Sequence, residues 1–228
     1  MKTITTVLAL VSLCLASMSQ SASATNFSMS GQWSNTANPN GPWSYNQGTT
    51  PLPLVQNWDA AGTAFAGCKQ HAWAPSNNEG NFLPSLMKAD RCTALDLGPD
   101  PNNGKANALA GDIVVHTVDP FNGNPGLGVA NIQFTLPSGQ DGNYVIHGFV
   151  WDADLFYGTS RPQDWVLLVN GVMRASGVLS GAVSRSQAQK FHVLATLVAG
   201  DTVDLQLIED PNAFAGFFVG ARMTISLK

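Results

Sequence analysis

Charge is what this 228-residue chain has least of: Asp, Glu, Lys and Arg together make up 11% of it, near half the usual share of a soluble domain. Glutamate occurs only as Glu79 and Glu209. With 11 Lys and Arg and a net charge of −4, the chain lacks the basic surface that nucleic acid or an anionic membrane requires. Disorder is excluded from the other side, because 44% of the residues are hydrophobic. Little Lys and Glu, beside 22 glycines and much Asn, Ser and Thr, disfavours helices and favours strands joined by turns. Missing as well are a G-x-S-x-G, an H-E-x-x-H and a Gly-rich phosphate loop. His71, His116, His147 and His192 share no metal-ligand spacing, and they read as structural histidines.

Long apolar runs are confined to the start. Lys2, the apolar stretch Ile4 to Ala16 and the small-residue ending Ala22-Ser23-Ala24 have the order of a secretory signal, so residues 1–24 are expected to be removed. Leu13 ahead of Cys14 departs from a lipoprotein anchor. The expectation is a secreted or periplasmic protein with no membrane anchor after cleavage. Cleavage leaves Cys68 and Cys92, which in an oxidising compartment form most simply one disulfide. A bridge closing a loop of this size contributes about 3 kcal/mol in the chain-entropy model.

The mature chain, 25–228, reads as one all-β domain whose texture changes near residue 110. Residues 25–110 are loop-rich, with Asn, Gly, Pro and Ser around Trp33, Trp43, Trp58 and Trp73. Short strands are expected there at Phe27–Trp33, Trp43–Tyr45 and Thr63–Ala66, and a helical turn at Leu83–Lys88. Residues 111–228 are regular. Strands are expected at Ile113–Thr117, Val129–Thr135, Tyr144–Trp151, Trp165–Val169, Val172–Ala175, Lys190–Leu197, Thr202–Ile208 and Ala221–Leu227, from β-branched enrichment and period-two alternation. Asn170-Gly171 is a two-residue hairpin signal. Eight strands without helical patterns between them imply an antiparallel, jelly-roll-like β-sandwich.

Three stretches resemble a recurrent, largely uncharacterised bacterial exported β-sandwich group whose members often carry a C-terminal sorting tail. Asn38-Pro39-Asn40-Gly41-Pro42-Trp43-Ser44-Tyr45 is similar to its "NPNGxWSYG" opening. Ala130 to Pro137 with Gly142-Asn143-Tyr144 is similar to its "A-x-V-R-W-T-x-P…G-x-Y" strand pair, with Gln133 and Phe134 in place of Arg and Trp. Leu167 to Gly171 and Val198 to Leu205 are similar to "V-x-V-N-G" and "L-x-x-G-D-x-V-D-F", and these also resemble jelly-roll carbohydrate-binding modules. The resemblance implies export and a sandwich fold, and suggests sugar binding.

Sugars present apolar C–H faces to aromatic rings and hydroxyls to a few fixed polar groups, so aromatics on polar loops are the residues to examine. Trp73, Trp58, Trp43, Tyr45 and Tyr157 are the candidates. Trp73 is the first choice for exposure; for Trp43 and Trp58 a core role stands equally open. Asp152 and Asp154 follow an apolar strand and read either as a solvated turn or as a calcium site at the rim; no other cofactor is expected. The leading reading is a non-catalytic, lectin-like module with a glycan partner. The rivals are a structural or assembly component of the cell surface or extracellular matrix and a small polysaccharide-degrading enzyme, which would need a raised pKa at Asp152 or Asp119. No catalytic residue is assigned.

Overall fold

The computed structural model describes residues 25–58, 69–76, 83–89, 97–119, 127–155, 161–180, 182–211, 213 and 215–228. The signal segment 1–24, Cys68 and Cys92 with their expected bridge, the strand expected at Thr63–Ala66, and Tyr157 lie outside the described residues. Among the described residues fourteen strands follow in chain order: β1 Asn26–Ser28, β2 Trp43–Gln47, β3 Thr50–Pro51, β4 Leu54–Trp58, β5 Gln70–Trp73, β6 Ser85–Lys88, β7 Ile113–His116, β8 Ala130–Thr135, β9 Gly142–Asp152, β10 Gln163–Val169, β11 Val172–Leu179, β12 Gln189–Leu197, β13 Thr202–Glu209 and β14 Phe218–Leu227. The only helical element among the described residues is a 3-10 turn, Arg185–Gln187.

The strands form two antiparallel sheets. One has the order β12-β9-β14-β7-β6-β5-β4, with β1 added beside β14; the other has the order β11-β10-β13-β8-β2-β3. From β7 onward the chain crosses between the sheets strand by strand, except at the β10–β11 hairpin, so that β12-β9-β14-β7 faces β11-β10-β13-β8. That is the jelly roll. All eight strands expected beyond residue 111 are present, and the Asn170-Gly171 turn has φ of 52° and 75°, as a two-residue hairpin demands.

Alternation explains the core. Ile132 and Phe134 of β8, Leu205 and Leu207 of β13, and Ile146 and Val150 of β9 all point between the sheets and are fully buried. Trp43, Tyr45 and Trp73 from the loop-rich half join the same core. A second core lies on the other side of the first sheet, where Trp58, Met87, Val114, Ala153 and Phe218 gather with Leu83, Leu97 and Ala108. β7 is therefore buried on both faces, which is why Ile113-Val114-Val115 reads as a continuous apolar run.

The N-terminal half differs from expectation. Leu83–Lys88 supplies strand β6 and not a helical turn, because Leu86 and Met87 are needed on opposite faces of a sheet covered on both sides. The first strand ends at Ser28, where Gln32 N–H bonds back to Ser28 O at 2.8 Å and turns the chain. Residues 97–112 are held over the first sheet by Asp112. Its buried carboxylate accepts from Arg185 Nε at 2.8 Å, from Arg222 Nε at 2.5 Å and from Leu109 N–H at 2.9 Å.

Candidate binding cleft

Burial removes the sequence's main candidates. Trp43, Tyr45 and Trp58 are 0% exposed and Trp73 is 3% exposed, so none can present a ring to a sugar. The reason is period two: Trp43 and Tyr45 alternate with Ser44 and Asn46 along β2, and the pair facing the other sheet is the aromatic one. Trp73 lies parallel to Tyr45, with 6.4 Å between centroids and 4° between planes, and its indole N–H donates to Ser34 O at 3.1 Å. Among the described residues no Phe, Tyr or Trp ring is exposed. Trp33 and Phe149 are half-buried, Trp33 against Tyr45 at 4.3 Å and Phe149 beneath the Arg185 guanidinium.

The residues left facing out by that alternation build a cleft. Ser44 and Asn46 of β2 stand opposite Gln133 and Asn131 of β8, and Gln133 and Asn131 stand opposite Asp204 and Gln206 of β13. The outer surface of three adjacent strands thus carries a band of hydroxyl, amide and carboxylate groups. Pro39, Gly41 and Pro42 close one side and Thr49 and Pro51 the other, giving a cavity of about 350 Å³ that also includes Thr135. Small-molecule sites start at about 300 Å³. The cavities at Asn143–Leu194–Lys228, about 220 Å³, and at Val118–Leu207–Glu209, about 170 Å³, are smaller than that.

Local hydrogen bonds fix the walls. Asn38 donates from Nδ2 to Tyr45 O at 2.7 Å and Leu52 O at 3.0 Å, and accepts from Tyr45 N–H at 2.9 Å, tying the 38–42 segment to β2. Thr135 N–H donates to Pro42 O at 2.8 Å. At the end of β2, Gly48 has φ of 57° and sits against the backbone of Leu127 and Gly128, where a Cβ has no room. That close approach is available only to glycine.

In the cleft and on the strands beside it the polar groups are incompletely satisfied. Asn46 is 3% exposed; its Nδ2 donates to Ser44 Oγ at 3.0 Å, while its buried Oδ1 has no partner. Asn131 Nδ2 donates to Asp204 Oδ1 at 2.7 Å, and its own Oδ1 is likewise buried without one. The Gln133 amide, half-buried, makes no hydrogen bond to any described residue. A buried carbonyl without a donor costs about 1–3 kcal/mol, a deficit that a hydroxyl-bearing ligand or water removes. None of the nine lining residues is charged, so the site suits neutral polar matter.

Two carboxylate regions lie elsewhere. Asp152 and Asp154 are 0% and 2% exposed, which replaces the solvated turn by a buried one. Asn107 holds the start of the turn, donating from Nδ2 to Asp152 O at 2.8 Å and Ala153 O at 2.7 Å. Asp152 Oδ2 accepts from Val183 N–H at 2.8 Å, Oδ1 has no partner, and burial pushes the carboxyl up to about 7. Calcium takes about six to eight oxygens, and among the described residues no group of three or more acids, histidines or cysteines is placed to hold a metal. Glu209, which the sequence reading did not single out, is pushed up to about 7 by burial and then by the Asp119 carboxylate. Such a group is what an acid catalyst needs; the cavity beside it is about 170 Å³ and is lined by Val118, Gly128, Val129, Leu207 and Ile208.

No protein-family model matches the chain, and no curated protein matches it. Solved structures similar to it include the CBM51 module from Clostridium perfringens GH95 in complex with methyl-galactose, at 15% identity over 87% of this chain and 99% of that one, with a TM-score of 0.40. Another is the CBM51-2 and INT domains of Clostridium perfringens ZmpB in complex with GlcNAc, at 12% identity over 88% of this chain and 31% of that one, with a TM-score of 0.39. A third is a family 35 carbohydrate binding module from Clostridium thermocellum, at 16% identity over 42% and 68%, with a TM-score of 0.27.

Proposed function

We propose that this protein is a secreted, non-catalytic carbohydrate-binding module whose ligand lies in the cleft between β2, β8 and the 38–42 and 49–51 segments. The observation that carries the reading is the cleft itself: about 350 Å³, uncharged, with the buried Asn46 Oδ1 lacking a partner beside the Gln133 amide. Sugar hydroxyls donate and accept at once, so they suit a row of amides and hydroxyls. The rings of Pro39, Pro42 and Pro51 offer apolar contact to pyranose C–H faces in the place where aromatics were expected. Binding in this cleft is polar-dominated, since none of its lining residues is aromatic.

The test is a glycan array together with insoluble polysaccharides, run on residues 25–228 and on Gln133→Ala. Gln133 is half-buried and makes no hydrogen bond to a described residue, so the substitution leaves stability within about 0.5 kcal/mol. Affinity for the captured glycan is expected to fall at least tenfold, about 1.4 kcal/mol. Capture of a glycan with equal affinity by both proteins would move the site elsewhere, and capture of none would sink the reading.

A specific observation favours assembly as the second reading. β11 is a sheet edge, with Val172 and Met173 each 61% exposed and Val178 48% exposed, and its only charged residue is Arg174. Exposed apolar edges are templates for strand pairing. Sedimentation across a concentration series separates the two: a glycan-binding monomer supports the first reading, and self-association abolished by Met173→Lys supports the second.

A further inference from the structure

A second kind of site lies on the opposite sheet, away from the cleft. On the outer face of the first sheet His147 of β9 stands directly opposite His192 of β12, and Thr224 of β14 stands opposite His147 on its other side. Both histidines are exposed, and neither makes a hydrogen bond or ion pair with a described residue. They differ in this from His116, which is 2% exposed and places Nδ1 at 2.8 Å from Thr117 O. Directly opposed residues of an antiparallel pair have Cβ atoms about 4.5–5.5 Å apart and project to the same side. Two imidazoles on that footing reach a common point about 2.0–2.1 Å from one nitrogen of each, the bond length of zinc.

The geometry points to a surface site for a borderline divalent metal ion, of the zinc, nickel and copper class, held by His147 and His192 across the β9–β12 pair. Imidazole nitrogen selects these ions over calcium and magnesium, which take oxygen. No third acid, histidine or cysteine joins the pair among the described residues. Water completes the coordination and leaves positions open to a ligand from outside. The neighbours set its strength. The next cross-strand row holds Lys190, Phe149 and Arg222, and the row on the other side holds Leu194, Val145 and Ser226. Arg222 donates to the Asp112 carboxylate, so Lys190 is the cation whose charge opposes the metal. Because β12 is the sheet edge, a bound ion cross-links that edge to its neighbour.

The experiment uses untagged residues 25–228 with Zn²⁺ and Ni²⁺, and Ca²⁺ as the control. Calorimetric titration is expected to show one Zn²⁺ per chain. Ni²⁺ is expected to broaden the amide resonances of Val145–Phe149 and of residues 190–194 first. His192→Ala and His147→Ala should each weaken Zn²⁺ at least tenfold while leaving the melting temperature without metal unchanged, since both side chains are exposed and unpartnered. Zn²⁺ should raise the melting temperature of the native protein and not of either variant. Lys190→Gln should tighten Zn²⁺. Binding unaffected by both histidine variants, broadening centred elsewhere, or no Zn²⁺ uptake would each overturn the assignment. None of these outcomes bears on the glycan cleft, which lies on the other sheet.

Discussion

Trp73→Ala is expected to lower stability by about 3–5 kcal/mol, the usual cost of emptying a buried indole site, and to leave glycan affinity per folded molecule unchanged. The side chain is 3% exposed, lies parallel to Tyr45 and anchors residues 33–34 through its N–H to Ser34 O. Its loss opens a cavity where the loop-rich half meets the sandwich. Denaturant unfolding measures the first quantity, and titration of the folded variant at low temperature measures the second. If stability held and affinity fell, Trp73 would be a stacking residue after all.

Asp152→Asn is expected to stabilise the protein above neutral pH. A carboxyl raised from 3.8 to about 7 binds its proton more tightly folded than unfolded. Its contribution is therefore full below about pH 4, is lost as pH rises through about 7, and is level above that. The shift corresponds to at most about 4 kcal/mol of penalty for the ionised form. Asparagine keeps the acceptor for Val183 N–H but places an unpartnered amide where Oδ1 was, a cost of about 1–3 kcal/mol. The net gain at about pH 8 is then about 1–3 kcal/mol, and it turns into a loss of about 1–3 kcal/mol toward about pH 4, where the penalty for the ionised carboxyl is gone. Glu209 titrates in the same direction, so native stability itself should fall between mildly acidic and mildly basic pH. Melting curves across that range with and without Ca²⁺ decide the matter. A variant less stable than the native protein, with Ca²⁺ stabilising only the latter, would make Asp152 a metal ligand.

The jelly roll was legible because most of its strands bury one face each: Val203, Leu205 and Leu207 alternate with Thr202, Asp204 and Gln206, while β7, buried on both faces, shows instead as a β-branched run. The strands β4 to β6 were not. Ser85-Leu86-Met87-Lys88 lies where the sheet is covered on both sides, and β4 is an edge strand whose register shifts between Val55 and Trp58 with Gln56 and Asn57 exposed, so neither shows a clean period. The loop aromatics were misread because local polarity says little about burial. Ser44 and Asn46 make the neighbourhood of Trp43 and Tyr45 polar precisely by facing the other way; period two along β2 was the available signal. The cleft was hidden for a different reason. Ser44 and Gln133 become neighbours only through the β2–β8 pairing, which no local pattern announces, although both belong to the stretches that carry the family resemblance.

The most direct measurement is a titration of ¹⁵N-labelled residues 25–228 with the oligosaccharide captured most tightly in the array, following the side-chain amides of Asn46, Asn131 and Gln133. The expected result is saturable shifts at Gln133 and Asn46, with neighbouring backbone shifts confined to 39–51 and 131–135. Saturable shifts centred on any other surface, with those amides unmoved, would contradict the placement of the site.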